Sequence, residues 1–260
     1  MELSVKKIAS EFVNARLASR SLPSYPGPIP DQMSTSYLCQ SQAIGQWPDS
    51  VAGWKVGSIR ADLAEELGQN RLIGPIFRKG VRHVSGGVQE FRTFDGGFAA
   101  AEPEFVLELA TAPDEGKLDW SIEEARALVG AVYHGVEIAG SPLATINDLG
   151  PKVVVSDFGN NDGLLLGQRV ADWSSRPFEE WRAELYIDER LTGQGSVADL
   201  VGGPFESLRF ALEQTARMGH RMKTGSLIST GAITGVHQVV AGQKIRAVFG
   251  GDETIELMGV

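Results

Sequence analysis

The sequence predicts an α+β protein, with a helical N-terminal cap over residues 1–70 and a larger, mixed, β-rich domain over residues 71–260. Three observations carry that division. An amphipathic helical stripe opens the chain, glycine and short β-branched runs take over near residue 70, and hairpin-type turns punctuate the C-terminal part. At 260 residues the chain is near the upper size for one hydrophobic core, so one domain and a core with a cap both fit.

Val5, Ile8, Phe12, Val13 and Leu17 recur at helical spacing and predict a helix over 4–20. "SLPSYPGPIPDQM" follows, and its four prolines make residues 22–30 an extended arm, long enough to reach a neighbouring subunit. A second helix is predicted from Gln32 to Gln46, then a strand in "VAGWKVGS". "SIRADLAEELG" reads as a helix with Ser58 as N-cap and Gly68 as its stop. Farther on, "SIEEARALVGAVY" reads as a helix opened by a capping box of Ser121 and Glu124. "GPFESLRFALEQTARMG" is another, with Pro204 in its first turn and Gly219 near its end. The predicted strands are 105–110, 133–138, 152–156, 164–166, 183–187, 226–229, 245–249 and 254–257, with "IDERL" and "FGGDET" as hairpin turns.

Composition narrows the function. Apolar residues make up 42% and charged residues 22%, the balance of an ordinary globular protein. The net charge of -9, with no basic run, argues against a nucleic-acid binder and means that an anionic substrate needs a local cation or a metal. The single cysteine, Cys39, excludes an internal disulfide framework and suits a reducing compartment. No apolar leader opens the chain and no 18-residue apolar stretch occurs, so the expectation is a cytoplasmic protein without a membrane span.

The stretch "FAAAEPEFVLELA", residues 98–110, places Glu102 and Glu104 on one face of an apolar strand, with Pro103 on the other. Pro103 cannot donate to a ladder, which points to a strand start, an edge or a bulge. A solvated polar face, a carboxylate pair for acid–base work and a divalent cation site all fit that local pattern. Glu137 adds weight to the last, because it stands between Val136 and Ile138 in another apolar strand, where an unpaired charge is costly. Close buried carboxylates raise one another's pKa unless a cation intervenes.

Five pieces, "GWKVG", "AEPEFVLELA", "GVEIAG", "VSDFGNNDGLLLG" and "GSLISTGAITG", stand in an order that resembles the fumarylacetoacetate hydrolase superfamily. Within it they are most similar to the 2-keto-4-pentenoate hydratase and oxalocrotonate decarboxylase branch. The resemblance implies a β-roll or barrel-like catalytic domain. It implies Mg²⁺ or Mn²⁺ held by Glu102, Glu104 and Glu137, and a small 2-oxo acid whose carboxylate and carbonyl chelate that ion. It implies catalytic roles for Lys55, Asp157 and Asn160, substrate contacts from Trp54, Asn161, Thr230 and Gly231, and a homo-oligomer. The reaction expected first is hydration of an unsaturated 2-oxo acid, as in the breakdown of aromatic rings. Decarboxylation and acylpyruvate C–C hydrolysis are the alternatives, and a non-catalytic scaffold stands last.

Lys55 in "GWKVG" fits a partly desolvated ammonium that binds a carboxylate or, with a lowered pKa, moves protons; a snorkelling surface lysine fits the same letters. "SDFGNND" lacks the companion motifs of a kinase and the spacing of a calcium loop; it reads as a turn aiming Asp157, Asn160 and Asn161 at substrate, or as a plain turn. His134 is expected on the face opposite Glu137, and His83, His220 and His237 at element ends. Two departures from the family matter. Related hydratases carry an acid where "GPIFRKG" has Arg78 and Lys79, and "AGSPL" follows Glu137. Both leave the metal site intact and open the choice of reaction.

Overall fold

A computed structural model describes residues 2–260. The first stripe buries as its spacing requires: Val5, Ile8, Phe12 and Val13 lie inward on α1 (Glu2–Leu17). The Pro-rich arm then docks on its own chain. Leu22 is buried with its amide on Pro142, and Tyr25 donates to Ser156 Oγ at 3.1 Å. The arm leads into α2 (Met33–Gln46), β1 (Val51–Ser58) and α3 (Ala61–Leu67). Arg60, not Ser58, is the N-cap of α3, and Gly68 ends it in the left-handed conformation that glycine adopts without a Cβ penalty.

Next come β2 (Arg71–Phe77), β3 (Val81–His83), β4 (Gln89–Phe91) and β5 (Phe98–Leu109). The Ser121–Glu124 capping box is formed, but α4 is only Ile122–Ala127. Val129, predicted as helix, already belongs to β6 (Val129–Ser141), because Val129 pairs with Leu109 of β5. Residues 152–156, predicted as a strand, are helical in α5 (Pro151–Ser156). A short apolar run does not distinguish a buried strand from a buried helix, and Gly150 with Pro151 at the first turn starts the helix here. The remainder is β7 (Asn161–Arg169), β8 (Arg182–Ile187), β9 (Arg190–Ser196), α6 (Gly203–Arg217), β10 (Leu227–Ser229), β11 (Lys244–Phe249) and β12 (Glu253–Gly259). The "IDERL" turn closes β8 on β9 with Asp188 and Glu189 both at positive φ, the backbone of a two-residue hairpin loop.

The strands form two sheets in a curled half-barrel. One sheet has seven strands in the order β2-β1-β10-β5-β6-β7-β3, the other five in the order β4-β12-β11-β8-β9. β1 runs parallel to β10, while β10–β5, β5–β6 and β6–β7 are antiparallel. A continuous apolar core joins Phe12 of α1, Trp54 of β1, Phe105 of β5 and Trp181 beside β8. Pro103 sits mid-strand, not at a strand start. Its carbonyl accepts from Ile233 on the side where β10 has already ended, so its missing N–H faces no ladder.

Candidate metal centre

Register assembles the site. Glu102 lies directly opposite Glu137 across β5–β6, and Lys55 is opposite Ser229 across β1–β10. Ser229 is opposite Val106, which shares the face of Glu102 and Glu104. Four adjacent strands therefore present Lys55, Ser229, Glu102, Glu104 and Glu137 to one side of the sheet. One carboxylate oxygen from each glutamate lies within 4.8 Å of the others. Glu104 and Glu137 have no exposed surface and Glu102 only 3%.

Two of the acids, Glu104 and Glu137, are held by one oxygen. Ser229 Oγ and the Gly231 amide donate to Glu104 Oε2 at 2.6 and 2.8 Å, and Asn161 Nδ2 donates to Glu137 Oε1 at 3.0 Å. Glu102 Oε1, Glu104 Oε1 and Glu137 Oε2 are buried without a hydrogen-bond partner. Orphaned carboxylate oxygens of this kind are costly unless something else coordinates them. Lys55 Nζ stands 3.3 Å from Glu137 Oε2 as an ion pair and donates to Asn160 Oδ1 at 3.3 Å. One ammonium against three carboxylates leaves the cluster negative, and three oxygen donors with no nitrogen or sulfur suit a hard divalent cation. The residues present fit Mg²⁺ or Mn²⁺.

The electrostatics agree. Burial, opposed by Lys55 and reinforced by Glu137, pushes the Glu102 carboxyl up to about 7. Burial with the two neighbouring acids drives Glu104 well above the carboxylate range. For Lys55, desolvation works downward but the attraction of Glu137, Glu102 and Glu104 outweighs it, and the pKa rises. Of the two sequence readings of Lys55, this favours the charged ammonium that binds a carboxylate over the lysine of lowered pKa: the glutamates stabilise the ammonium more than burial destabilises it.

A cavity of about 890 Å³ opens onto Lys55, Glu102 and Asn160. Leu63, Leu72, Phe98 and Val154 wall it, with Arg60, Asn147 and Asp148 among its polar lining. The structure brings Lys55, Asn160, Asn161 and Gly231 to the three glutamates. It does not bring Asp157 or Trp54 there. Asp157 is fully buried with its carboxylate taken by Arg16 and Ser141, and Trp54, one residue out of phase with Lys55, packs on His220. Thr230 serves the scaffold, its hydroxyl on Phe105 O and its carbonyl accepting from Ser207. Arg78 and Lys79 contact Ser50 and Asp49 away from this cavity. His134 Nδ1 donates to Glu253 Oε2 at 3.0 Å and its ring stacks on Phe249, on the far face as expected.

Sequence reading missed Ser229 and Arg16. Ser229 lies inside the quoted "GSLISTGAITG", and only register shows that it meets Glu104. Arg16 left a clear signal. It continues the buried stripe Val5, Ile8, Ala9, Phe12, Val13 by helical spacing, a cation where an apolar residue belongs.

Neither a family model nor a curated protein matches the chain. Solved structures do. 4-Oxalocrotonate decarboxylase from Pseudomonas putida G7, complexed with magnesium and adipate, superposes with a TM-score of 0.83 at 17% identity, over 100% of this chain and 98% of that one. The fold is that of the fumarylacetoacetate hydrolase superfamily. Two further structures share it over less of the chain. Fumarylpyruvate hydrolase from Pseudomonas aeruginosa, in complex with Mn²⁺ and pyruvate, gives 0.57 at 16% identity, over 80% of this chain and 88% of that one. 5-Carboxymethyl-2-hydroxymuconate delta-isomerase from Mycobacterium smegmatis gives 0.55 at 15%, over 82% and 80%. A hydrolase fold that also carries a decarboxylase and an isomerase does not by itself name a reaction.

Proposed function

We propose that this protein is a divalent-metal-dependent lyase acting on an unsaturated 2-oxo acid, with loss of CO₂ as the favoured reaction. The carrying observation is the trio of buried glutamates whose oxygens without hydrogen bonds converge beside one ammonium, with Glu102 and that ammonium lining a cavity large enough for a small acid. A magnesium or manganese ion held by Glu102, Glu104 and Glu137 would supply Lewis acidity toward the carboxylate and carbonyl oxygens of such an acid.

The chain's own residues do the rest. Ser229 and the Gly231 amide fix Glu104, and Asn161 fixes Glu137, so the donor set is organised before anything binds. Lys55 provides a buried positive charge for an acidic substrate in a protein of net charge -9. As CO₂ leaves, the electron pair of the broken C–C bond passes along the unsaturated chain to the C2 oxygen, and Lys55 Nζ, oriented by Asn160, is placed to donate the proton which that enolate oxygen takes up. The apolar side chains of Leu63, Leu72, Phe98 and Val154 offer a surface for the substrate's carbon chain.

Decarboxylation is favoured because it needs no water-activating acid, and Arg78 of "GPIFRKG" lies away from the cavity. Hydration is the second reading, supported by one carboxylate, Asp148, at the cavity lining where a water could be activated. The test follows the ultraviolet absorbance of a panel of 2-oxo-3-enedioates and 2-hydroxydienoates, with Mg²⁺ or Mn²⁺ and with chelator. Metal-dependent CO₂ release from the former supports the first reading, and metal-dependent consumption of the latter supports the second. No metal-dependent change on any member, with no metal bound, overturns both.

A further inference from the structure

Arg16 belongs to the N-terminal helix, yet its guanidinium is buried 1% exposed against a turn some 141 residues later. All five of its N–H donors are matched. Nε meets Asp157 Oδ1 at 2.5 Å, and Nη2 meets Asp157 Oδ2 at 3.0 Å and Gly140 O at 2.7 Å. Nη1 meets Asn161 O at 3.0 Å and Asp162 Oδ1 at 3.2 Å. Ser141 Oγ completes Asp157 at 2.6 Å, and Arg92 grips Asp162 from outside at 2.6 Å. The plane lies against the Phe158 ring at 5.3 Å.

The acceptors bracket an unusual piece of backbone. Phe158, Gly159 and Asn160 are consecutive in the left-handed region, with φ of 53°, 62° and 59°. Two of these carry side chains, and a bulky residue such as Phe158 holds that conformation only where its surroundings over-determine it. Asp157 lies just before the strained turn, and Asn161 and Asp162 lie just after it. The turn in turn aims two side chains: Asn160 Oδ1 at Lys55 Nζ and Asn161 Nδ2 at Glu137 Oε1. The bonds of Arg16 go to Asp157, Asn161 and Asp162 of the turn and to the Gly140 carbonyl at the end of β6, and none goes to Lys55 or the glutamates.

We infer that Arg16 is a positioning residue: it clamps the 157–162 turn from the N-terminal helix so that Asn161 orients Glu137 and Asn160 orients Lys55. A buried arginine–aspartate pair is a weak device for stability, since apolar residues of similar volume commonly do as well. Its planar fork instead fixes direction, which an ammonium in the same place cannot do. Asp157 then acts through Arg16, and the N-terminal helix becomes part of the apparatus that assembles the metal centre. The inference rests on the proposed metal reading for its affinity arm alone.

The experiment compares Arg16→Lys and Arg16→Met with the parent protein. Amide hydrogen exchange over residues 157–162 is measured without metal, and Mn²⁺ affinity by calorimetry. Arg16→Lys is expected to unfold cooperatively while exchange in the turn speeds up at least tenfold. Its Mn²⁺ dissociation constant is expected to rise about tenfold, the usual cost of losing a group that orients a ligand. Adding Asn161→Ala to Arg16→Lys should cost nothing further, because Arg16 acts through Asn161. Unchanged exchange and affinity in a folded Arg16→Lys protein would overturn the inference, as would losses that add in full. Should neither Arg16 variant fold, Asp162→Asn, at the outer rim of the same clamp, is judged by the same two readouts and the same outcomes. If the parent protein binds no Mn²⁺, the metal reading fails, and the exchange arm still decides whether Arg16 governs the turn.

Discussion

Lys55 Nζ lies 3.3 Å from Glu137 Oε2 and the same distance from Asn160 Oδ1, so one buried ammonium links the carboxylate cluster to the strained turn. The pair joins β1 to β6, strands separated in the sheet by β10 and β5. Replacing the lysine tests whether it reacts or only balances charge. Lys55→Met is expected to lower kcat by roughly 10²-fold or more, the usual worth of a positioned proton donor. Mn²⁺ affinity should stay within a few-fold, because no ligand oxygen is removed. Calorimetry and steady-state rates check this, and near-normal turnover would leave the lysine as counter-charge only.

Glu102→Gln and Glu137→Gln bear on the metal directly. At a hundredfold excess over its dissociation constant, a ligand stabilises the native state by about 2.7 kcal/mol. That metal-induced rise in Tm should nearly vanish in both variants. Metal-free Glu102→Gln should not be less stable than the parent, since the uncharged amide relieves like-charge repulsion with Glu137 across β5–β6, whereas metal-free Glu137→Gln should be less stable, because it leaves the buried Lys55 ammonium without its ion-pair partner.

The raised Glu102 and Glu104 carboxyls give the metal-free protein a definite pH dependence. A carboxyl whose folded pKa exceeds its unfolded value favours folding while protonated, and that contribution is lost as pH rises through the folded pKa. With Glu102 at about 7, the metal-free Tm is expected to fall by several degrees between pH 5 and pH 8. Saturating Mn²⁺ should remove most of the fall, because the metal replaces the protons. Thermal melts in chelator and in Mn²⁺ check the sign; a metal-free Tm that climbs over this window would contradict it.

Gly74 of β2 allows the turn its close approach. A Cβ there would stand 2.0 Å from Phe158 O. Gly74→Ala should therefore push the turn away, destabilise the fold by about 1–3 kcal/mol and weaken Mn²⁺ binding. Gly45→Ala is the control: its Cβ meets nothing within 4 Å on helix α2, and a neutral or slightly stabilised protein is expected. Chemical denaturation measures both.

Much of the candidate site was legible because burial conflicts with charge. Glu102, Glu104, Glu137 and Lys55 all stand inside apolar runs, and a strand's alternation puts the first two on one face without any knowledge of the fold. Asp157 and Trp54 were misplaced for a local reason. A turn motif gives residue types but not directions, and the buried centre of β1, residues 53–56, shows no alternation from which to tell the face of Trp54 from that of Lys55. The helix over 152–156 escaped because three valines at its centre carry a strand's composition, whereas Gly150 and Pro151 set its start.

By itself the sequence determined the kind of chemistry available: hard oxygen donors, a lysine inside an apolar run, glycines for close approach, and an acidic chain that must borrow positive charge. Tertiary structure alone decided which groups meet. Antiparallel register set Glu102 opposite Glu137, a parallel pairing carried Lys55 and Ser229 to the same face, and Arg16 crossed from the first helix to the turn after residue 156. Side-chain identity is local, whereas pairing register and long-range burial are properties of the whole packed chain, and no window of residues contains them.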